Sequence, residues 1–151
     1  MRIELRDARY GDALTAPLIR EIQQEMTERY GGPDETPVAP EQFDAPRGTF
    51  VVASVDGELI GCAGLRGRTG TEVELKRMYI RAAHRRRGHA RRLLTELEDR
   101  ARALGYRRLV LETGTEQPEA IALYEREGYR PTKGFGHYAD EPGSRYYAKD
   151  L

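Results

Sequence analysis

The chain has 151 residues, 38% hydrophobic and 33% charged, which suits one compact domain with a single core over 1–151. Lys plus Arg total 25 and Asp plus Glu total 25, so the formal net charge is zero; that argues against a dedicated nucleic-acid binder, whose domain is usually basic throughout. One cysteine excludes an intrachain disulfide, no apolar run approaches the ~18 residues of a membrane span, and "MRIELRDARYGD" has no signal-like apolar region, so a cytoplasmic protein with no membrane partner is expected.

"RIELRDA" alternates apolar and charged residues, as a first strand does. Asp12 is a candidate cap for a helix over roughly 13–29, with Leu14, Leu18, Ile22 and Met26 at helical spacing and Pro17 tolerated in its first turn. "YGGPDETPVAPEQFDAPRG" has the composition of a long surface loop with a short helical turn, and loops of that length in small domains often carry function. "TFVVASV" and "ELIGCAGL" form a hairpin through Asp56-Gly57. The apolar, strand-like setting of Cys62 makes it a buried small hydrophobe rather than a reactive thiol. After "RGRTG" comes a third strand, "TEVELKRMYI".

An arginine loop follows, and then a helix over about 90–104. Ala90, Leu93, Leu94, Leu97, Ala101 and Leu104 make its apolar stripe, and Gly105 is its stop. "RRLVLET" is a short buried-type strand. "QPEAIALYEREG" is a helix with Pro118 near its start and Gly128 past its end. "YRPTKG" and "SRYYAKDL" are two last strands. The order β-α-βββ-α-β-α-ββ describes an α/β chain with a mixed sheet and helices on its faces, because antiparallel hairpins flank a strand–helix–strand crossover.

The positive charge is concentrated. Residues 81–92 hold six arginines, His84 and His89, with no acid among them. A solvated face, a nucleic-acid patch and an anion cradle are the three readings. A helix start has unpaired N–H donors and a partial positive charge, where phosphate binds readily. Gly88 frees the backbone to turn, Ala90 keeps the next side chain small, and flanking arginines add charge-assisted bonds. "RRRGHA" is thus suited to hold a pyrophosphate through main-chain amides. The H-x4-H spacing of His84 and His89 lacks further metal ligands in sequence, so no metal is expected.

"ELKRMYIRAAHRRRGHARRLL" resembles the acetyl-CoA-binding motif of the GNAT (Gcn5-related N-acetyltransferase) family, a strand followed by Arg/Gln-x-x-Gly-x-Gly/Ala at a helix start. Arg85, Gly88 and Ala90 fall on it. "LVLETGTEQPEAIALYEREGYR" is similar to the family's next motif, on which Leu123, Tyr124, Gly128 and Tyr129 fall. The resemblance implies an acyl-CoA N-acyltransferase fold and acetyl-CoA as cofactor, with coenzyme A as product. It implies that the Met78–Tyr79–Ile80 strand meets the pantetheine arm, through the backbone of Met78 and Ile80. It also implies that amides from Arg86 to Ala90 take the pyrophosphate, within a cofactor-binding loop of Arg85, Arg86, Arg87, Gly88, His89, Ala90 and Arg91, with Tyr124 near the thioester sulfur.

Acetyl transfer to an amine needs a proton acceptor, a donor for the oxyanion and an acid for the thiolate. Tyr124 is the candidate acid. Glu74 is the candidate base, from a strand in which Val73 and Leu75 face one way and Glu72, Glu74 and Lys76 the other; a water chain is the alternative. A backbone N–H near Met78 is the candidate oxyanion donor. Tyr30 and Tyr138, with Glu28, Asp34, Asp140 and Glu141, could frame a small-molecule amine. The expected activity is acetylation of a primary amine of a small molecule or peptide by direct attack in a ternary complex. A non-catalytic acetyl-CoA sensor and an arginine-mediated nucleic-acid binder are the competing readings. Oligomeric state is not written in the sequence, although homodimers are frequent among similar proteins.

Overall fold

A computed structural model describes residues 2–151. Its strands are β1 (Ile3–Asp7), β2 (Thr49–Val55), β3 (Glu58–Gly67), β4 (Glu72–Ile80), β5 (Arg108–Gly114), β6 (Arg130–Pro131) and β7 (Ser144–Asp150). The helices are α1 (Ala16–Tyr30), α2 (His89–Ala103) and α3 (Pro118–Arg126), with short 3-10 turns at Pro40–Phe43 and Ala82–His84. The strands form one sheet in the order β1-β2-β3-β4-β5-β7-β6. Every pairing is antiparallel except β4 with β5. The α2 crossover imposes that exception, since parallel neighbours need a long connection. Asp56 and Gly57 both take positive φ, 51° and 80°, and close the β2–β3 hairpin as a two-residue turn.

Alternation along the strands divides the core between the two sheet faces. Val51 and Ala63 are register partners and pack with Val73, Leu75, Leu93, Leu97 and Leu111 beneath α2 and α3. Their neighbours Val52 and Cys62 are also partners and pack with Leu18, Ile22, Phe43 and Phe50 beneath α1. Cys62 is fully buried, and burial pushes its thiol up to about 12.

Expectations about the first helix, the long loop and the strand after α3 are corrected. Helix α1 begins at Ala16, with Thr15 as the residue before it, and Leu14 is exposed rather than part of the apolar stripe. The Asp12 side chain does not cap; its carbonyl accepts the Thr15 and Ala16 amides, while the buried Thr15 hydroxyl closes on the Tyr10 carbonyl at 2.7 Å. The long loop is not all surface, because its 3-10 turn seats Phe43 in the α1-side core, stacked 4.9 Å from Tyr10. "YRPTKG" yields only the two-residue β6, on the sheet edge where proline's missing N–H is tolerated.

The sheet opens at its centre. Strands β4 and β5 pair only from Glu72↔Arg108 to Leu75↔Leu111. Beyond that rung β5 stays paired with β7 as far as Gly114↔Ser144, while β4 stays with β3 as far as Ile80↔Gly61. A register shift in β4 lies opposite Cys62–Gly64, where Arg77 takes φ +59°. Such a bulge bends the strand and raises its local twist, and here it marks where the two halves diverge.

Candidate active site

The divergence creates a wedge-shaped cavity of about 450 Å³. Leu75–Met78 of β4 and Leu111–Gly114 of β5 form its walls, with Ile22, Met26 and Tyr30 from α1 and Tyr124 from α3. A gap in the sheet makes both faces accessible to one another. Tyr124 belongs to the α2/α3-side core. Lys76 and Glu112 occupy the next rung after Leu75↔Leu111, so alternation turns both toward the α1 side.

Tyr124 is buried, and desolvation alone lifts its pKa, with no hydrogen bond among the causes. Its ring meets Tyr129 edge-on at 5.8 Å. Tyr129 is itself fixed, because its hydroxyl donates to Glu98 Oε2 at 2.8 Å and Lys149 Nζ donates to the same oxygen at 3.0 Å. Tyr124 therefore has a restrained ring and, among the described residues, a hydroxyl without a hydrogen-bond partner at the cavity wall.

Glu74 lies elsewhere. It is buried, but it is off the cavity lining and faces Arg66 across the β3–β4 ladder. Arg66 Nε donates to Glu74 Oε1 at 2.9 Å, and Arg66 Nη1 also reaches the Pro37 carbonyl at 2.9 Å. Its carboxylate is thus already neutralised.

The carboxyl group that does line the wedge is Glu112. Burial raises its pKa; Lys76 and hydrogen bonds from Ser144 and Tyr146 oppose that, and Asp34 adds to it. Tyr146 Oη donates to Glu112 Oε2 at 3.2 Å. A carboxyl in a cleft whose pKa is moved toward neutrality is a recognised mark of acid–base function. The sequence signal was available: an acid directly after the buried run Leu109, Val110, Leu111.

Beside it is a cluster of charges. Lys76 and Arg77 are both buried, at 7% and 8% exposure. Both pair with Asp34 Oδ2, Lys76 at 3.3 Å and Arg77 through Nη1. Burial would raise the Asp34 pKa, but Lys76, Arg77 and the Thr36 amide hold it down at about 2. Gln23 fixes the Asp34 backbone, accepting from its amide at 2.7 Å and donating to its carbonyl at 3.1 Å. Asp34 is committed to these cations and offers no free charge to an incoming amine.

Of the other residues considered for the acceptor, Tyr30, Tyr138 and Glu141 line the cavity, whereas Glu28 and Asp140 do not. Gln117 Nε2 donates to the Tyr30 hydroxyl at 3.1 Å, and the Glu35 amide donates to the Tyr138 hydroxyl at 2.7 Å. The Tyr30 hydroxyl approaches β5 so closely that a Cβ at Gly114 would lie 2.0 Å from it.

At the other end of β4, Gly88 takes φ +81° immediately before α2, and Arg86 takes φ +63°. Among the described residues, no amide from Arg86 to Arg91 donates to a backbone carbonyl, so a cluster of donors is left for an anion. The arginines divide. Arg81 pairs with Glu21, Arg85 with Glu25, Arg91 with Glu127 and Arg92 with Glu96. The acids missing from the local sequence arrive from other elements and, for Glu96, from the next turn of α2, so the loop is less basic than its sequence. Arg86 and Arg87 are exposed and, among the described residues, in no ion pair. His84 Nε2 is 2.6 Å from Glu58 Oε2. Burial, then His84 and Arg87, lowers the pKa of His89.

Between wedge and loop, β4 has a free edge. The Arg81 amide donates to the Ile60 carbonyl at 2.7 Å, so Ile80 directs its own N–H and C=O away from β3. Alternation gives Met78 the same aspect. The Ile80 carbonyl already accepts from Arg85 Nε at 2.7 Å. Tyr79 faces α1 instead, its hydroxyl donating to Glu21 Oε1 at 3.3 Å. Among the described residues, no cluster of metal-ligating side chains occurs and no helix is long and apolar enough to cross a membrane.

A splayed central strand pair leading to an amide-rich helix start defines an acyl-CoA N-acyltransferase type of fold. The acetyltransferase (GNAT) family model matches residues 19–129. An IAA acetyltransferase of Azospirillum brasilense is 34% identical over 135 residues, covering 89% of this chain and 88% of that protein. A structure from Klebsiella pneumoniae assigned to the acyl-CoA N-acyltransferases superposes with TM-score 0.82 at 31% identity over 99% of this chain and 97% of that one. A GNAT family acetyltransferase of Elizabethkingia anophelis, with acetyl-CoA bound, shares the fold at TM-score 0.73 and 18% identity over 99% of this chain and 98% of its own. The chain belongs to the GNAT family and is an N-acetyltransferase.

Proposed function

We propose that this protein moves the acetyl group of acetyl-CoA to a primary amine of a small molecule, by direct attack in a ternary complex. The observation that carries the reading is the wedge between β4 and β5, with Tyr124 on one side of the gap and Glu112 on the other. The unpaired amides of residues 86–90, with Arg86 and Arg87, hold the pyrophosphate, and the free edge of β4 at Met78 and Ile80 aligns the pantetheine arm. Acetyl-CoA supplies the activated thioester.

Glu112 is the base in this reading, in preference to Glu74, whose carboxylate Arg66 neutralises outside the cavity. An ammonium nitrogen loses one proton to Glu112 Oε and becomes nucleophilic. As the N–C bond forms and the C–S bond breaks, Tyr124 Oη gives its proton to the departing sulfur and is reprotonated by the second amine proton, while Glu112 releases the first proton to solvent, so that one proton leaves per turnover. The Met78 N–H, on the free edge, is the donor for the transient oxyanion.

The test is an amine panel with acetyl-CoA, monitoring thiol release, on wild type and Glu112→Gln. We expect turnover that falls by about 100-fold in the variant, with loss of the rising limb of the pH–rate profile. Bound acetyl-CoA without turnover of any amine would favour a sensor. An unchanged pH profile would remove Glu112 from the mechanism.

A further inference from the structure

The wedge carries more positive charge than amine binding requires. Two cations, Lys76 and Arg77, are buried in its wall against one fully ionised carboxylate, Asp34. Among the described residues, Asp34 is the only carboxylate within ion-pair distance of Lys76 Nζ, and an ammonium has three donors to satisfy. Arg77 is buried, with its side chain 3% exposed, and its Nε, itself shielded from solvent, has no hydrogen-bond partner among the described residues. Buried charged donors are rarely left unmatched, because each missing partner forfeits the solvation it gave up. Glu35 and Glu141 also line the cavity, but both are exposed at its mouth, where water screens them.

A charge count separates the acceptor classes. Lys76, Arg77, Asp34 and an ionised Glu112 sum to zero. A simple alkylammonium entering this group leaves a net positive charge in a partly desolvated site. A molecule bearing both an ammonium and a carboxylate leaves it neutral. The lining is mixed: beside these charged groups, Ile22, Met26, Leu75, Leu111 and Met78 contribute apolar surface. We infer that the acetyl acceptor is a free amino acid with an apolar side chain, its carboxylate held by Lys76 and Arg77 while its amine faces Glu112.

This inference rests on the acetyl-transfer reading above and deepens it. Lys76 is a binding residue here, and its partner Asp34 is a positioning residue, holding the two cations at the wall.

The experiment compares, at saturating acetyl-CoA, leucine and phenylalanine with their amides and with the decarboxylated amines isopentylamine and phenethylamine. The expected result is a kcat/KM for the free amino acids roughly 30-fold above both analogues, the size of one or two charge-assisted hydrogen bonds. Lys76→Gln is expected to raise KM for the amino acid and to shrink that preference to within about threefold. The wild-type series decides the matter even if the variant does not fold. Amides or plain amines turned over as well as the acids would overturn the inference and leave acetyl transfer standing. Acetyl-CoA bound by calorimetry, with none of the six compounds turned over, would also overturn it. Failure of acetyl-CoA to bind folded protein would instead sink the reading on which the inference rests.

Discussion

Replacing Asp34 by Asn keeps the side chain's shape and its acceptor for the Thr36 amide, but leaves Lys76 and Arg77 without their shared counter-charge. The Asp34 pKa is lowered from 3.8 to about 2, and at ~1.4 kcal/mol per unit that shift corresponds to about 2 kcal/mol of stability at neutral pH. Asp34 is only 16% exposed, so solvent screening removes little of this. Stranding a buried cation adds to the loss, and breaking buried pairs typically costs ~3–5 kcal/mol. Asp34→Asn is therefore expected to destabilise the fold by about 2–4 kcal/mol at pH 7. The sign with pH is fixed by the direction of the shift. A depressed carboxylate pKa stabilises fully above the unfolded value and ceases to do so as pH falls through the folded one. About half of the linkage contribution is gone by pH 3. Urea unfolding of both proteins at pH 7 and pH 3 measures this, with equal m-values as the check that only stability changed. A difference that is below about 0.5 kcal/mol, or that does not shrink between pH 7 and pH 3, would refute the ion-pair account of this wall.

Tyr124→Phe removes a hydroxyl that makes no hydrogen bond among the described residues, so stability should stay within about 0.5 kcal/mol of wild type while kcat falls by roughly 10–100-fold; equal kcat values would exclude Tyr124 as the acid. Gly88→Val leaves the side chain in open space, since a Cβ there meets nothing within 4 Å, but forces a β-branched residue to φ +81°. Calorimetry should show acetyl-CoA affinity weakened by at least tenfold, about 1.4 kcal/mol, with helical circular dichroism retained; unaltered affinity would dissociate the loop from the pyrophosphate. Cys62, buried and pushed up to about 12, should react with a thiol reagent only as fast as the protein unfolds, and rapid labelling of native protein would contradict its packing.

The elements were legible where period and punctuation agree. The α2 stripe from Leu93 to Ala101, the Asp56-Gly57 turn and the glycine stops at 105 and 128 each have a local cause, and the order of strands and helices followed from them. The arginine loop shows the limit of local reading. Its own sequence contains no acid, yet Glu21, Glu25, Glu58, Glu96 and Glu127 come to it from other elements and from α2's next turn. Glu74 shows the same limit from the other side. Period-two alternation placed it away from Val73 and Leu75, as found, but could not distinguish solvent from Arg66 and the long loop packed over that face. Alternation along β4 assumed a continuous strand, and the shift at Arg77 lies where no residue type signals it. Glu112 was detectable as an acid directly after an apolar run, although only the end of β4–β5 pairing gives that acid a cavity to face.

That early end is the feature from which the rest of the site follows. Had β4 and β5 stayed paired one rung further, Lys76 and Glu112 would be ordinary neighbours on a covered sheet face, and the backbone groups of residues 76–80 would be consumed by the ladder. Instead the β5-facing N–H and C=O groups of β4 beyond Leu75 are left without a strand partner. Backbone groups withdrawn from a ladder still require hydrogen bonds, so this edge favours any extended chain that supplies them. The Ile80 carbonyl has found Arg85 Nε, and through Arg85 the edge is tied to the loop that begins α2. The same discontinuity thus gives the donor a strand to lie along, gives the acceptor a polar wall, and connects the two sheet faces on which Tyr124 and Glu112 are carried.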